Sequence, residues 1–342
     1  MRRAVLDLAS TRPVWSAPPA VTRAVRRAFG RGWRVVTVRA LASSDGDGGA
    51  GSAAAIAAAA GAEVYIGWGV PRDVVAAAAE TLRWAHTAAA GVGASITPEL
   101  RGTGARLTNS RGIHAEPMAD WVVAAVGFCL RGLHHAVAAQ RDRRWVKDAF
   151  TDGRVAVREF AGTRVGLIGL GGIGRAVAAR CAALGMPVSA VRRVPGRRRP
   201  RGVQWVGGPG QLRALARRSD VLVVAAPHTA ATRGMVDAAV LSALPRGAFV
   251  LNVARGELLN EGALVAALDR GRVAGAVLDV FDREPLPRSH PLWRHPRVLI
   301  SPHVSAVSDR FWSRETDLVV ENIRRYRTGR RLRNLVDPDR GY

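Results

Sequence analysis

Six apolar runs constrain the fold more than any other feature of this chain: RVGLIG (164–169), PVSAV (187–191), VLVVAA (221–226), AFVLNV (248–253), VAGAVLDV (273–280) and RVLIS (297–301). Each is short and rich in Val, Leu and Ala, without the polar alternation of a strand that has one wet face. Helical patterns separate several of them. Strands buried on both faces and joined through helices build a parallel sheet, because parallel neighbours need long crossover connections.

A second series comes earlier: AVLDL (4–8), RVVTV (34–38), EVYIG (63–67) and RWAHTA (83–88). The Gly/Ser/Asp stretch 43–52 reads as an exposed loop, and the alanine run after it as a helix, since a strand follows directly. One long apolar helix is predicted over 117–140 and a last helix over 311–328, beyond the second sheet. The expectation is an α/β protein of two parallel-sheet domains. The second (117–305) is inserted into the first (1–116 and 306–342).

Net charge is +24, and 51 residues are Lys or Arg. Only one of these, Lys147, is a lysine, and the arginines run along the whole chain. That lopsided usage reads as coding bias rather than a polyanion-binding face, so no specific nucleic acid is expected. The two cysteines, Cys129 and Cys181, sit in apolar helical stretches and indicate no disulfide framework. No apolar run reaches the ~18 residues of a membrane span free of charge or glycine. A cytoplasmic protein without a metal site is expected.

GLGGIG (169–174) follows the strand RVGLIG and opens a helix predicted over 173–184. This is the context in which G-x-G-x-x-G binds a dinucleotide. Gly169 makes the tight turn, Gly171 admits the pyrophosphate, and Gly174 allows close helix packing. Gly172 and Ile173 lie at the helix start, whose free N–H groups face the phosphates. An acid about 20 residues further on would bind the ribose 2′-hydroxyl. Here the second strand ends instead in Arg192 and Arg193, with no acid between Gly174 and Arg201. A guanidinium suits a 2′-phosphate, so NADP(H) is predicted, with NAD(H) the alternative. Arg197, Arg198 and Arg199 read as a solvated loop.

Three ionisable residues follow three consecutive strands: Arg255 in NVARGELLNEGAL, Glu284 in DVFDREPLP and His303 in ISPHVSA. In an open parallel sheet, ligands bind beyond the carboxyl ends of the strands. One such residue could be an ordinary surface charge, but three in register are hard to attribute to chance.

With these blocks the chain resembles the D-isomer-specific 2-hydroxyacid dehydrogenases, nearest the glyoxylate/hydroxypyruvate reductase branch. GLIGLGGIGRAVA, AGAVLDVFDREPLP and PLWRHPRVLISPH carry the likeness, which covers most of residues 162–337. LRWAHTAAAGVG and LTNSRGIHAEPMADW extend it more faintly. The resemblance implies a Rossmann dinucleotide-binding domain inserted into a flavodoxin-like substrate domain, and a homodimer formed through the former. It implies a 2-oxo or 2-hydroxy acid substrate. Arg255 would grip the substrate, helped by backbone N–H groups of Ala90, Gly91 and Val92. His303 would be the acid/base, oriented and favoured in its protonated form by Glu284. Asp279 would contact the nicotinamide amide, and Pro227, Thr232, Val253 and Ala254 would join His303 around the cofactor. Three positions depart from the family pattern: Gly93 and Asp120, which bear on substrate fit and hinge detail, and Arg192, which bears on cofactor choice. The alternative is a dinucleotide-sensing binding protein like the family's corepressor relatives.

Overall fold

A computed structural model describes residues 1–41, 49–196 and 198–341. The chain divides into two compact units, residues 1–114 with 307–342, and residues 115–306.

The first unit holds a five-stranded parallel sheet: β1 (Arg2–Asp7), β2 (Trp33–Thr37), β3 (Val64–Gly67), β4 (Trp84–Thr87) and β5 (Arg106–Asn109), in the order β2-β1-β3-β4-β5. This is the flavodoxin-like order. Apolar side chains cover both faces. Helices Pro19–Phe29 and Phe311–Arg327 bury Val25, Phe29, Phe311 and Ile323 on one side. The alanine run forms the helix Ala53–Ala59, with Ser52 as its N-cap accepting from the Ala55 N–H at 3.1 Å. Of the loop expected over 43–52, residues 43–48 lie outside the described residues. Strand β5 is absent from the sequence reading: RLTN has one Leu, and only its place under the helices makes Leu107, Thr108 and Asn109 buried.

The second unit holds seven parallel strands: β6 (Val165–Ile168), β7 (Val188–Val191), β8 (Val203–Gly207), β9 (Val221–Val224), β10 (Ala248–Asn252), β11 (Val273–Leu278) and β12 (Val298–Ile300). Their order is β12-β11-β10-β9-β6-β7-β8. Chain direction across the sheet reverses between β6 and β9, the switch point where such sheets bind ligands. Val221, Leu222, Val223 and Val224 are all fully buried, each side chain contributing about 1.5–3 kcal/mol over an exposed one. Strand β8 was also unanticipated. It is an edge strand whose middle residues are partly exposed, directly after the arginine-rich segment.

The long helix expected over 117–140 is two helices, Ala115–Leu130 and Leu133–Arg141, bent by 73°. Gly132 causes the break with φ +63°, and a Cβ there would come within 2.7 Å of Val155. Among the described residues no single helix is long and apolar enough to cross a membrane.

Candidate active site

The glycines of 169–174 divide their work as the chemistry requires. Gly169 has φ +101°, and a Cβ there would meet the Ala225 carbonyl at 2.6 Å. A Cβ on Gly174 would stand 2.1 Å from the Gly169 carbonyl, so helix Gly172–Ala183 could not approach β6. Gly171 differs: nothing lies within 4 Å of its missing Cβ. Packing within the protein does not demand glycine there, whereas a pyrophosphate drawn against the backbone does. The residues present therefore fit a dinucleotide. Gly172 and Ile173 form the first turn of that helix.

Arg192 follows β7, and its N–H donates to the Gly207 carbonyl at 3.0 Å. Among the described residues its guanidinium forms no ion pair. Arg193 is exposed on the same turn. Arg198 and Arg199 are exposed, the latter donating to the Gln204 carbonyl, while Arg197 lies outside the described residues. Beyond β9, the Thr232 hydroxyl donates to the Pro227 carbonyl at 2.8 Å and accepts from the Thr229 N–H at 2.8 Å. Val253 and Ala254 are buried after β10.

The sheet brings Arg255, Glu284 and His303 beyond the ends of adjacent strands β10, β11 and β12. His303 Nδ1 lies 2.7 Å from Glu284 Oε2, and Glu284 Oε1 accepts from the Phe281 N–H at 2.9 Å. Burial pushes the Glu284 carboxyl up. The bonds from His303 and the Phe281 N–H, with the charges of His303 and Arg255, outweigh it and hold the group below the usual glutamate range. His303 adopts φ +55°, a region rare for a non-glycine residue. Its N–H donates to the Asp279 carbonyl at 2.8 Å.

Asp279 itself is fully buried. Its carboxylate accepts from Ser301 Oγ at 2.6 Å and from the N–H groups of Val304 and Ser305 at 2.9 Å each. It thus fixes the loop that carries His303. Two residues of this region, Asn252 and Gly256, are not among those the sequence points to. Buried Asn252 donates to the Arg255 carbonyl at 3.0 Å and accepts from the Ala254 N–H at 3.1 Å. A Cβ on Gly256 would lie 1.8 Å from the Phe281 carbonyl carbon. Glycine there lets the Arg255 loop touch the loop leading to Glu284. Both residues stand in NVARGEL, where an amide just before a turn and a glycine just after a functional arginine are the available signals.

Ala90, Gly91 and Val92 lie in the first unit, in the turn after β4. The Ala90 carbonyl accepts from Asn109 Nδ2 at 2.7 Å. The N–H groups of 90–92 donate to no described residue.

A glycine-rich turn shaped for a pyrophosphate and an arginine, a carboxylate and a histidine at neighbouring strand ends define a nicotinamide-dinucleotide-dependent dehydrogenase. The comparisons agree. The family model for the D-isomer specific 2-hydroxyacid dehydrogenase NAD-binding domain matches residues 123–305. Glyoxylate/hydroxypyruvate reductase A of Yersinia enterocolitica is 33% identical over 293 residues, 82% of this chain and 88% of that one. The same-named protein of Salmonella typhi is 42% identical over 178 residues, and the match spans 52% of this chain but only 56% of that relative. Among solved structures, a D-isomer specific 2-hydroxyacid dehydrogenase from Xanthobacter autotrophicus Py2, in complex with NADPH and MES, superposes with a TM-score of 0.80. Its identity is 32%, covering 100% of this chain and 99% of that one. The chain belongs to the D-isomer specific 2-hydroxyacid dehydrogenase family.

Proposed function

We propose that this protein is an NADP(H)-dependent reductase of small 2-oxo acids, such as glyoxylate or hydroxypyruvate, making or oxidising the D-2-hydroxy acid. The observation that carries this is the Glu284–His303 pair at 2.7 Å, with Arg255 near enough to help hold Glu284 ionised. The kinship with reductases of that name supports the substrate class, and no comparison favours the dinucleotide-sensing alternative.

When bound, NADPH supplies a hydride to the carbonyl carbon. Arg255 offers its planar donor fork to the substrate carboxylate and carbonyl oxygen, and the open N–H groups of Ala90, Gly91 and Val92 add donors to the carboxylate. Since Nδ1 of His303 is engaged by Glu284, Nε2 is the nitrogen left to deliver a proton to the carbonyl oxygen. In the reverse direction it removes the hydroxyl proton. Gly169, Gly171, Gly172, Ile173 and Gly174 hold the pyrophosphate, while Arg192 and Arg193 take the 2′-phosphate. Pro227, Thr232, Val253, Ala254 and Asp279 belong to the surroundings of the nicotinamide.

The proposal extends to a cytoplasmic homodimer joined through residues of the second unit. Cytoplasmic placement suits an enzyme that draws on the intracellular NADPH pool. The second unit carries Trp145 at 92% exposure, with Leu133 and Val137 nearly half exposed, an apolar group that a second copy would cover.

The test is oxidation of NADPH and of NADH against a panel of 2-oxo acids. Turnover of glyoxylate or hydroxypyruvate, faster with NADPH, is expected. No turnover of any 2-oxo acid with either cofactor would overturn the reading.

A further inference from the structure

The first unit contains a buried polar network that the proposed chemistry does not use. His86, on β4, and Glu315, on helix Phe311–Arg327, are both fully buried, with Nε2 to Oε1 at 2.9 Å. Ser110 Oγ donates to Glu315 Oε2 at 2.6 Å. Thr108 Oγ1 lies 2.8 Å from His86 Nδ1 and accepts from Trp84 Nε1 at 2.9 Å. The Thr108 hydroxyl also lies 3.5 Å from the Ala85 carbonyl, and Ser110 Oγ lies 3.3 Å from His86 Nε2 and 3.2 Å from the Thr87 carbonyl. His86, Glu315, Ser110 and Thr108 thus each have more than one polar neighbour, which restrains the geometry of the network.

Two of its neighbours reach the turn after β4. The Ser110 N–H donates to the Ala89 carbonyl at 3.0 Å, and Asn109 Nδ2 donates to the Ala90 carbonyl at 2.7 Å. The Val92 carbonyl accepts from the N–H groups of Ser95 and Ile96, both at 3.1 Å. Three carbonyls of the turn are thus held, while the N–H groups of residues 90–92 meet no described acceptor. A turn tied down by its carbonyls presents fixed donors, the arrangement that favours an anion.

We propose that Asn109 and Ser110, backed by the buried His86–Glu315 pair, are positioning residues that hold the 90–92 donors in place for the substrate carboxylate. This rests on the reading that residues 90–92 bind that carboxylate. The positioning acts on substrate binding, not on hydride transfer or on the dinucleotide.

The experiment compares three variants in the full-length enzyme, reading KM for the 2-oxo acid, kcat, KM for NADPH and the melting temperature. Asn109→Asp replaces the donor to Ala90 with an acceptor. It should raise the substrate KM by roughly tenfold, the effect of losing one hydrogen bond, with kcat and the NADPH KM within about twofold. Ser110→Ala removes the hydroxyl that reaches Glu315, His86 and the Thr87 carbonyl, keeps the Ser110 N–H bond to Ala89, and should raise the substrate KM in the same direction by a smaller factor. It also serves as the deciding variant if Asn109→Asp does not fold. Gly91→Pro deletes one N–H of the turn at a residue without positive φ, and tests the underlying reading. A raised KM in Gly91→Pro with unchanged KM in both other variants overturns the positioning role and leaves the carboxylate reading intact. An unchanged KM in Gly91→Pro overturns that reading and the positioning role with it. A fall in kcat or a rise in the NADPH KM matching the rise in substrate KM would show a general structural defect and also overturn the proposal.

Discussion

Gly256→Ala tests the geometry of the active site more directly than replacing any charged residue. The added Cβ would sit 1.8 Å from the Phe281 carbonyl carbon and 2.1 Å from both the Phe281 oxygen and the Asp282 nitrogen. Ordinary contact begins at 3.4 Å, so the two backbones must part by about 1.6 Å. Neither side is a flexible side-chain end that can swing away. The 281–282 segment is itself tied, with the Phe281 N–H donating to Glu284 and the Asp282 N–H to Glu261, each at 2.9 Å. Moving it loosens Glu284. Moving the other side shifts Arg255, whose loop Asn252 anchors. Overpacking of this kind costs about 1–3 kcal/mol of stability. The catalytic effect should be larger in consequence, since a misplacement of ~1 Å costs on the order of a hundredfold in rate. Purified Gly256→Ala should lose about a hundredfold in kcat/KM for a 2-oxo acid. Its NADPH affinity should stay within about threefold, because Gly169, Gly171 and Gly174 lie on another strand end. The melting temperature should fall by several degrees. A variant with kcat/KM within a few-fold of wild type and an unchanged melting temperature would refute the argument that this close approach sets the site.

Arg192→Asp should weaken NADPH by roughly ten- to hundredfold while NADH holds or improves, the loss of one charge-assisted contact being worth about 1.5–3 kcal/mol. The melting temperature should not move, because the guanidinium has no ion-pair partner among the described residues; kcat/KM with both cofactors checks this, and a wild type that prefers NADH would sink it. Arg255→Lys keeps the charge and loses the fork, so kcat/KM for the 2-oxo acid should drop by at least tenfold with NADPH binding unchanged. Glu284 is held below the ordinary glutamate value of about 4.3. Its ionised pairing therefore stabilises the fold fully above that pH and is lost as pH falls through the lower folded-state value. The melting-temperature gap between wild type and Glu284→Gln should accordingly narrow only in acid below about pH 4.3, and a gap already closing at pH 6 would contradict the shift. Trp145→Glu should shift light scattering from dimer toward monomer, whereas a wild type already monomeric at micromolar concentration would remove the dimer proposal.

What could be read in advance was whatever repeats along the chain or stands at a fixed offset from a strand. The runs of Val and Leu at 221–224 and 248–252 need burial on both faces, so the parallel sheet is visible in them. Arg255, Glu284 and His303 follow strands directly, so their shared edge follows from topology. The residues that were missed act across the fold rather than along the chain. Gly256 is glycine because Phe281, 25 positions away, needs the space. Beside the cofactor contact that the resemblance implies for Asp279, its carboxylate holds residues 301, 304 and 305, and no local pattern announces those bonds. Strand β8 and the break at Gly132 failed differently. An edge strand is only partly buried, so its apolar signal is weak, and a single glycine is tolerated in many helices. Gly132 ends its helix because Val155 and Phe150 occupy the space a side chain would take. Asn109, Ser110 and Glu315 belong with Gly256: 206 positions separate Asn109 from Glu315, and only the pairing of β4 with β5 beneath the C-terminal helix gives His86 a carboxylate and the 90–92 turn its anchors.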